Sequence, residues 1–198
     1  MRKVLDSALD AYRLAEGPEA RAAAEREIWR RYGREVAVFV LDLAGFTRGI
    51  AETGLVAHLV AVRDLQSLTK GIFAANDGET IKHDADNCYG VFADVFGAVT
   101  AAEDCLEQIF RAGSGASVGI AYGPVLFIGG DIHGHPVNIA SKLGEDIAVS
   151  GEILIDAAAA AMLNRESRAA YASRQVAASG FEFSVLARAI RVTRGRDD

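Results

Sequence analysis

The chain has 198 residues, of which 51% are hydrophobic and 24% charged, and its net charge is −6. The length is enough for one domain with a substantial core and an N-terminal extension, and the composition is typical of a globular protein. The negative charge argues against a general nucleic-acid binder, and no apolar run reaches the length of a membrane span. Cys88 and Cys105 lack the spacing of a zinc site or a disulfide framework, and there is no signal peptide, so we expect a cytoplasmic protein.

Helical and extended patterns alternate in the first part of the chain. Residues 4–32 show helical periodicity interrupted at Gly17-Pro18, and Gly33 separates them from an apolar run at 36–40 that is typical of a buried strand. Apolar residues then recur at helical spacing over residues 55–75. These patterns predict an N-terminal helical region, a strand and a long helix.

The rest of the chain continues this alternation. Two β-type runs flank the polar connection 84–87, and the alanine-rich segment 94–111 is predicted to be a helix. A strand from residue 116 is expected to end or bend at Gly123-Pro124. The remaining predicted elements are a helix at 136–148, a strand at 152–155, a short helix at 157–163 and two antiparallel strands at 171–192. The order βαββαβ predicts an α+β sheet with helices on one side, related to the ferredoxin-like split βαβ arrangement.

The first predicted strand leads into the segment Leu41-Asp42-Leu43-Ala44-Gly45-Phe46-Thr47. A carboxylate at this point lies at the rim of a sheet, where Asp42 can reach a ligand. The backbone N–H groups of Gly45, Phe46 and Thr47 can face the same space and bind phosphate oxygens. An Asp before a tight turn is also a common local cap, so this segment by itself also fits a purely structural role.

A second carboxylate is expected close to the first. Asp86 lies in the polar connection between the two hairpin strands, which a split βαβ topology places beside the first strand. Asp42 and Asp86 would then converge beside the amide groups, where they could bind one or two divalent cations. Asp84 is a further candidate, because strand alternation does not decide whether it or Asp86 faces inward.

Four segments resemble the class III nucleotidyl cyclase catalytic domain, in the order and at the intervals of that family. They match its first metal-binding strand and turn, its base-reading hairpin, the strand entering its dimer arm, and its transition-state helix. Their sequences are FVLDLAGFT (39–47), TIKHDAD (80–86), VGIAYGPV (118–125) and DIHGHPVNIASK (131–142). The resemblance implies a nucleotidyl cyclase fold over residues 34–194, preceded by a helical extension over residues 1–33.

The resemblance also implies a metal and phosphate site. Asp42 and Asp86 would bind two Mg²⁺ or Mn²⁺ ions, and the Leu43 carbonyl would be a further ligand of one of them. Residues 45–47 would bind the phosphates. The implied reaction is an in-line attack of the ATP 3′-hydroxyl on the α-phosphorus, which gives cyclic AMP and pyrophosphate.

Four further residues match the half of the family site that binds the nucleoside. Lys82 and Asp131 correspond to the pair that reads adenine, and a Glu in place of Lys82 would indicate guanine. Asn138 would orient the ribose, and Lys142 stands where the family usually has an arginine for the developing phosphate charge. Because family sites lie between two head-to-tail subunits, and this chain has both halves, the resemblance implies a homodimer with ATP as substrate.

The sequence departs from the family pattern at several positions. Ala85 replaces the glycine that commonly precedes the second metal aspartate, and Lys142 cannot make the planar two-point contact of an arginine. The segment 123–131 is short for the dimer arm of the family.

The terminal hairpin has Ala177-Ala178-Ser179-Gly180 where the family has a polyphosphate-binding lysine. Arg174 or Arg188 of this chain could take the place of that lysine. These departures favour a second hypothesis, a catalytically weak or inactive cyclase-fold module that binds nucleotide or dimerises in a regulatory role. A polymerase-like nucleotidyl transferase would explain the two carboxylates but not the 131–142 segment.

Overall fold

The computed structural model describes residues 2–44, 54–178 and 181–190, which form a mixed sheet covered by helices. In chain order the elements are α1 (Arg2–Leu14), α2 (Pro18–Tyr32), β1 (Gly33–Ala44), α3 (Leu55–Ala75), β2 (Gly78–Asp84), β3 (Asn87–Phe92), α4 (Val95–Arg111), β4 (Gly115–Ile128), β5 (Asp131–His133), α5 (His135–Ser141), a π-helical turn (Lys142–Ile147), β6 (Glu152–Asp156), α6 (Ala157–Met162), α7 (Arg165–Ala169), β7 (Ala172–Ala178) and β8 (Phe181–Ala189).

The described strands form one eight-stranded sheet in the order β2-β3-β1-β4-β6-β8-β7, with β5 paired to the end of β4. β1 lies between β3 and β4 and is antiparallel to both. This is the strand order of a split βαβ arrangement. β6 then pairs in parallel with β4, and the β7–β8 hairpin extends the sheet on that side. The prediction of an α+β sheet of ferredoxin-like type is therefore confirmed.

β1 contributes side chains to both faces of the sheet, because successive residues of a strand point to opposite sides. Phe39 and Leu41 pack with α3 and α4 in one buried cluster, whereas Val38 and Val40 pack with α5 and the π-helical turn in the other. We refer to these as the α3/α4 face and the α5 face. By the same alternation Asp42 belongs to the α5 face, at the end of its apolar row.

Helices cover both faces, so the expectation of helices on one side is wrong. Ala140 and Leu143, from α5 and the π-helical turn, are fully buried on the face opposite α3 and α4. Their close approach requires glycine at two points. A Cβ at Gly119 would overlap the Ala140 carbonyl oxygen, and a Cβ at Gly144 would lie 2.7 Å from the Val40 carbonyl oxygen.

Most element boundaries match the expectations, and the helix predicted over residues 55–75 coincides with α3. β4 differs, because it runs without interruption through Gly123-Pro124. On the side away from β1, the described strands pair with β4 over Val118–Ile120 and Leu126–Ile128, and Pro124 lies between these stretches. The N–H that proline lacks is therefore not required for a ladder bond there. The short helix α7, which begins after the N-cap Asn164, was not predicted.

No helix in the described ranges is both long and apolar enough to cross a membrane. The division of the chain at residues 33 and 34 into a helical extension and a catalytic domain stays a prediction. The end of α2 at Tyr32 and the start of β1 at Gly33 fall at this point.

The β2–β3 turn carries backbone strain at Ala85. Asp84 and Asn87 pair across the base of the hairpin, which leaves a two-residue loop, and Ala85 in that loop has φ of 52°. This left-handed region disfavours a residue with a Cβ. The glycine that the cyclase family commonly has here would adopt the same conformation without strain.

We expect Ala85→Gly to raise the free energy of unfolding by about 0.5–1 kcal/mol, because relief of left-handed strain outweighs the extra entropy of glycine in the unfolded chain. Urea denaturation measures the change. Ala112→Gly is the matched control, since Ala112 is also exposed but has φ of −74°, which suits alanine. That control should lower the stability. A loss of stability in both variants would contradict the assignment of strain to Ala85.

Candidate functional site

Asp42 lies near the end of β1, between Asn87 of β3 and Ser117 of β4, and its side chain is half-buried. Burial and the negative charges of Asp86 and Glu145 raise the pKa of Asp42 to about 6. Because like charges oppose ionisation and an opposite charge favours it, such a group of acidic residues is a favourable environment for a cation.

Asp86 reaches the end of β1 from the β2–β3 turn. The Leu43 N–H donates to the Asp86 backbone carbonyl at 3.2 Å, which joins the turn to the strand. The charge of Asp86 is among those that raise the pKa of Asp42, whereas Asp84 is exposed at the base of the hairpin. Of the two hairpin carboxylates, Asp86 is therefore the one whose charge acts on Asp42.

The oxygen atoms at the end of β1 are of the type that coordinates a divalent cation which also binds phosphate. Asp42 and Asp86 offer carboxylate oxygens, and the buried Oδ1 atom of Asn87 has no hydrogen-bond partner among the described residues. In the part of the chain that the structure describes, no three His, Cys, Asp or Glu side chains are grouped so that they could hold a metal ion. Mg²⁺ is commonly bound by one or two carboxylates together with substrate phosphates. The residues present therefore fit a metal–nucleotide complex.

The predicted phosphate-binding segment begins where the described part of β1 ends. Gly45, Phe46 and Thr47 lie outside the described residues, and their role stays a prediction. The Leu43 side chain packs against the core of the α3/α4 face. The use of its carbonyl as a metal ligand also stays a prediction.

Lys82 and Asp131, which are 49 residues apart, meet in an ion pair. The Lys82 Nζ atom lies 2.7 Å from Asp131 Oδ2, and both side chains are about one-third exposed, at 37% and 36%. Burial opposes ionisation of Asp131, but the hydrogen bonds from Lys82 and from the Ile132 N–H hold the pKa of Asp131 below its usual value. An ammonium has three donors and a carboxylate about four lone-pair sites, so the pair retains capacity for a ligand.

Asn138 and Lys142 lie one helical turn apart at the junction of α5 and the π-helical turn, and Asn138 is exposed. The Lys142 Nζ atom donates to Asp146 Oδ2 at 2.6 Å. Among the described residues, no hydrogen bond or ion pair joins Asn138 or Lys142 to Asp42.

The segment that carries Asn138 and Lys142 is attached to the sheet through β4. Ser117 Oγ donates to the Gly144 carbonyl at 3.0 Å, and a Cβ at Gly119 would lie 2.5 Å from the Gly144 nitrogen. π-helical turns are rare in proteins, and those that do occur are often at functional sites. Here it directs Glu145 toward β3 while Leu143 remains fully buried in the core.

We expect Gly119→Ala to lower the free energy of unfolding by about 2 kcal/mol or more, because the new methyl group would overlap helix backbone that cannot move independently. Gly71→Ala is the matched control, since a methyl group on Gly71 of α3 would meet no atom within 4 Å. That control should raise stability by up to about 1 kcal/mol, as expected for alanine in a helix. Thermal or urea denaturation distinguishes the two, and a Gly119→Ala protein of normal stability would contradict the packing described.

Sequence reasoning missed the contact between Tyr89 and Glu145. The Tyr89 hydroxyl donates to Glu145 Oε1 at 2.7 Å, and burial is the main cause that raises the pKa of Tyr89 to about 12. In the sequence, Glu145 falls within the helix predicted over residues 136–148, and no motif indicates a partner for it. Strand alternation is the signal that could have found Tyr89, because it pairs with Lys82 and Val40 and therefore shares the α5 face with them.

The two arginines considered as phosphate ligands are both held in ion pairs. Arg174 makes a bidentate contact with Glu152, at 2.5 and 3.0 Å, and Glu152 is buried. Arg188 is paired with Glu103. Such contacts between arginine and carboxylate are strong and geometrically specific. Both side chains therefore stabilise the β6–β8–β7 side of the sheet, and the structure does not support either as a substitute for the missing lysine.

No protein-family model and no curated protein matches the chain. Solved structures do match it. The adenylyl cyclase CyaB from P. aeruginosa is 22% identical, with a TM-score of 0.66 over 82% of this chain and 96% of that chain. The guanylate cyclase domain of RhGC from Catenaria anguillulae, in complex with GTP, is 20% identical, with a TM-score of 0.66 over 79% and 97% of the two chains.

A guanylyl cyclase domain of RhoGC from the aquatic fungus Blastocladiella emersonii, in a dimeric form that departs from the usual one, is 18% identical. Its TM-score is 0.65 over 79% of this chain and 97% of that chain. The chain has the fold of a class III nucleotidyl cyclase catalytic domain. This cyclase fold occurs in both adenylyl and guanylyl cyclases, so the fold by itself does not indicate which purine is bound.

Proposed function

We propose that this chain is an adenylate cyclase that converts ATP to cyclic AMP and pyrophosphate as a homodimer with two shared sites. The observation that supports this most is the 2.7 Å ion pair between Lys82 and Asp131. Adenine presents a ring-nitrogen acceptor beside an amine donor. The Lys82 ammonium can donate to the first, and the Asp131 carboxylate can accept from the second.

Guanine presents the opposite pattern at the same edge. A ring N–H would face Lys82, and a carbonyl oxygen would face Asp131, so donor would oppose donor and acceptor would oppose acceptor. A site with polar groups arranged for one base discriminates strongly against a base that leaves them unpaired. The proposed preference is therefore for ATP over GTP.

In the proposed reaction, the ribose 3′-oxygen forms a bond to the α-phosphorus as the bond to the bridging oxygen of the β-phosphate breaks. Asn138 would orient the ribose, and the Lys142 ammonium would attract the negative charge that develops on the phosphate oxygens. Asp42 and Asp86 would hold the metal-bound polyphosphate. When bound, Mg²⁺ or Mn²⁺ would favour ionisation of the attacking hydroxyl and neutralise charge on the leaving group.

A homodimer is proposed because sites of the cyclase family lie between two head-to-tail subunits, and this chain has residues that match both halves of such a site. The charges that act on Asp42 come from Asp86 and Glu145, while Lys142 is bonded to Asp146. A second subunit in head-to-tail arrangement would supply Asn138 and Lys142 to the metal half of the first. Association of two chains is supported by the fungal neighbour of the same fold, which is dimeric.

A cytoplasmic location is part of the proposal. Cys88 and Cys105 are both free and buried, as is usual in a reducing compartment. ATP and divalent cations are present there.

The direct test is incubation of the purified protein with ATP or GTP in the presence of Mn²⁺, followed by measurement of both cyclic nucleotides. We expect cyclic AMP, and we expect Asp42→Asn and Asp86→Asn to reduce its formation by at least about a hundredfold, since each removes a carboxylate from the metal half. Asp42→Asn should not lower stability, because it removes a charge that its neighbours disfavour. Substantial turnover in either variant would contradict the assignment of these carboxylates.

Complementation tests whether the sites are shared. Asp42→Asn and Asn138→Ala chains, each inactive alone, should regain activity when mixed, because one of the two sites in a mixed dimer then lacks both substitutions. A quarter of the wild-type activity is expected if subunits exchange at random. Absence of activity in proven mixed dimers would rule out shared sites.

Lys142 provides a further prediction within the active dimer. We expect Lys142→Ala to lower kcat with little change in KM, because a charge used on the developing phosphate negative charge acts mainly in the transition state. Lys142→Arg should retain activity, since a guanidinium can make two-point contacts with phosphate. An unchanged kcat in Lys142→Ala would assign this side chain to its ion pair with Asp146 alone.

The second candidate is a cyclase-fold module that binds nucleotide or dimerises without turnover. The pairing of Lys142 with Asp146, and of Arg174 and Arg188 with other carboxylates, favours it, because these cations are already engaged. Nucleotide binding without formation of either cyclic nucleotide would decide for this candidate.

A further inference from the structure

Polar contacts run in series across the α5 face, from the base-reading pair toward Asp42. Lys82 Nζ lies 2.7 Å from Asp131 and 4.9 Å from the centroid of the Tyr89 ring. The Tyr89 hydroxyl donates to Glu145 at 2.7 Å. Glu145 in turn contributes to the negative charge around Asp42. Tyr89 therefore contacts both Lys82, through its ring, and Glu145 of the π-helical turn, through its hydroxyl.

The local backbone directs Lys82 toward this ring. Lys82 and Tyr89 are direct partners in the β2–β3 ladder, and the ladder shifts register between Thr80 and Lys82. Such an irregularity re-aims the side chains that follow it. The ring of Tyr89 is half-buried and packs beside the core of the α5 face, so it forms a fixed surface next to a long and flexible side chain.

We propose that Tyr89 is a positioning residue for purine recognition, whose ring holds the Lys82 ammonium toward the base while its hydroxyl bond to Glu145 fixes the ring. This rests on the proposed base-reading role of Lys82 and Asp131. It adds a specificity determinant that contacts Lys82 and not the nucleotide.

The need for such a residue follows from the chemistry of the pair. A lysine side chain has many rotamers, and ordering it costs free energy. When Asp131 accepts from the amine of the base, its contact with Lys82 must be shared. The face of an aromatic ring attracts an ammonium without consuming its N–H donors in a fixed direction. The Tyr89 ring can therefore keep Lys82 in place while its donors turn to the purine.

The test compares the affinities of the full-length protein for non-reacting ATP and GTP analogues, measured by calorimetry with Mn²⁺ in wild type, Tyr89→Phe, Tyr89→Leu and Lys82→Met. We expect Tyr89→Leu to reduce the ratio of ATP to GTP affinity by about two- to fivefold, the size of a partly exposed cation–π contact. Tyr89→Phe keeps the ring and should retain most of the ratio. Tyr89→Met fills a similar volume and replaces Tyr89→Leu if the latter does not fold.

A double-mutant comparison separates positioning from general structure. In a Lys82→Met protein, Tyr89→Leu should cause no further change in the ratio, because the side chain that it positions is absent. The role of Tyr89 would be overturned if Tyr89→Leu lowered the ATP and GTP affinities equally, or left their ratio unchanged, while Lys82→Met lowered the ratio. The proposed function would then remain intact. An unchanged ratio in Lys82→Met itself would overturn the base-reading assignment and this inference together.

Discussion

The contact between β4 and the π-helical turn, made without side chains at Gly119 and Gly144, determines where the rest of the α5 face lies. Backbone approaches backbone there, and the Ser117 hydroxyl bonds to the Gly144 carbonyl at 3.0 Å. Leu143 is fully buried at this contact. The π-helical turn carries Lys142 and Glu145, and it continues directly from α5, which carries Asn138. The arrangement of the α5 face therefore depends on having glycine, which lacks a Cβ atom, at positions 119 and 144.

Three ion pairs of the molecule differ in the burial of their carboxylates. In Lys82–Asp131 and Lys142–Asp146 both side chains are about one-third to one-half exposed, whereas Arg174, itself 38% exposed, binds Glu152, which is only 10% exposed. Exposed pairs contribute about 0–1 kcal/mol, so a ligand can replace one partner at little cost. Removal of Arg174 would leave the nearly buried Glu152 carboxylate without its partner, and an uncompensated buried charge costs several kcal/mol. In the proposed function the first two pairs would exchange partners with the nucleotide, whereas the third holds β7 on the sheet.

The sequence by itself determined the order of the elements and much of the candidate site. Hydrophobic periodicity is a local property, and the helix expected over 55–75 is the helix observed. The order of the family-like segments identified Asp42, Asp86, Lys82 and Asp131 as candidate site residues. The structure brings Lys82 and Asp131 into contact. The βαββαβ pattern was enough for the sheet order around β1, because few arrangements of such a chain avoid crossed connections.

Only the tertiary structure determined the contacts between residues that are far apart in the sequence. The close packing of α5 and the π-helical turn on β4 requires the absence of a side chain at Gly119, and the continuation of β4 through Pro124 depends on which strands lie beside it. The bond from Tyr89 to Glu145 joins residues 56 positions apart, and the engagement of Arg174 depends on burial of Glu152. Periodicity and motifs describe neighbours in sequence. These contacts arise from close packing between distant segments, which no local pattern encodes.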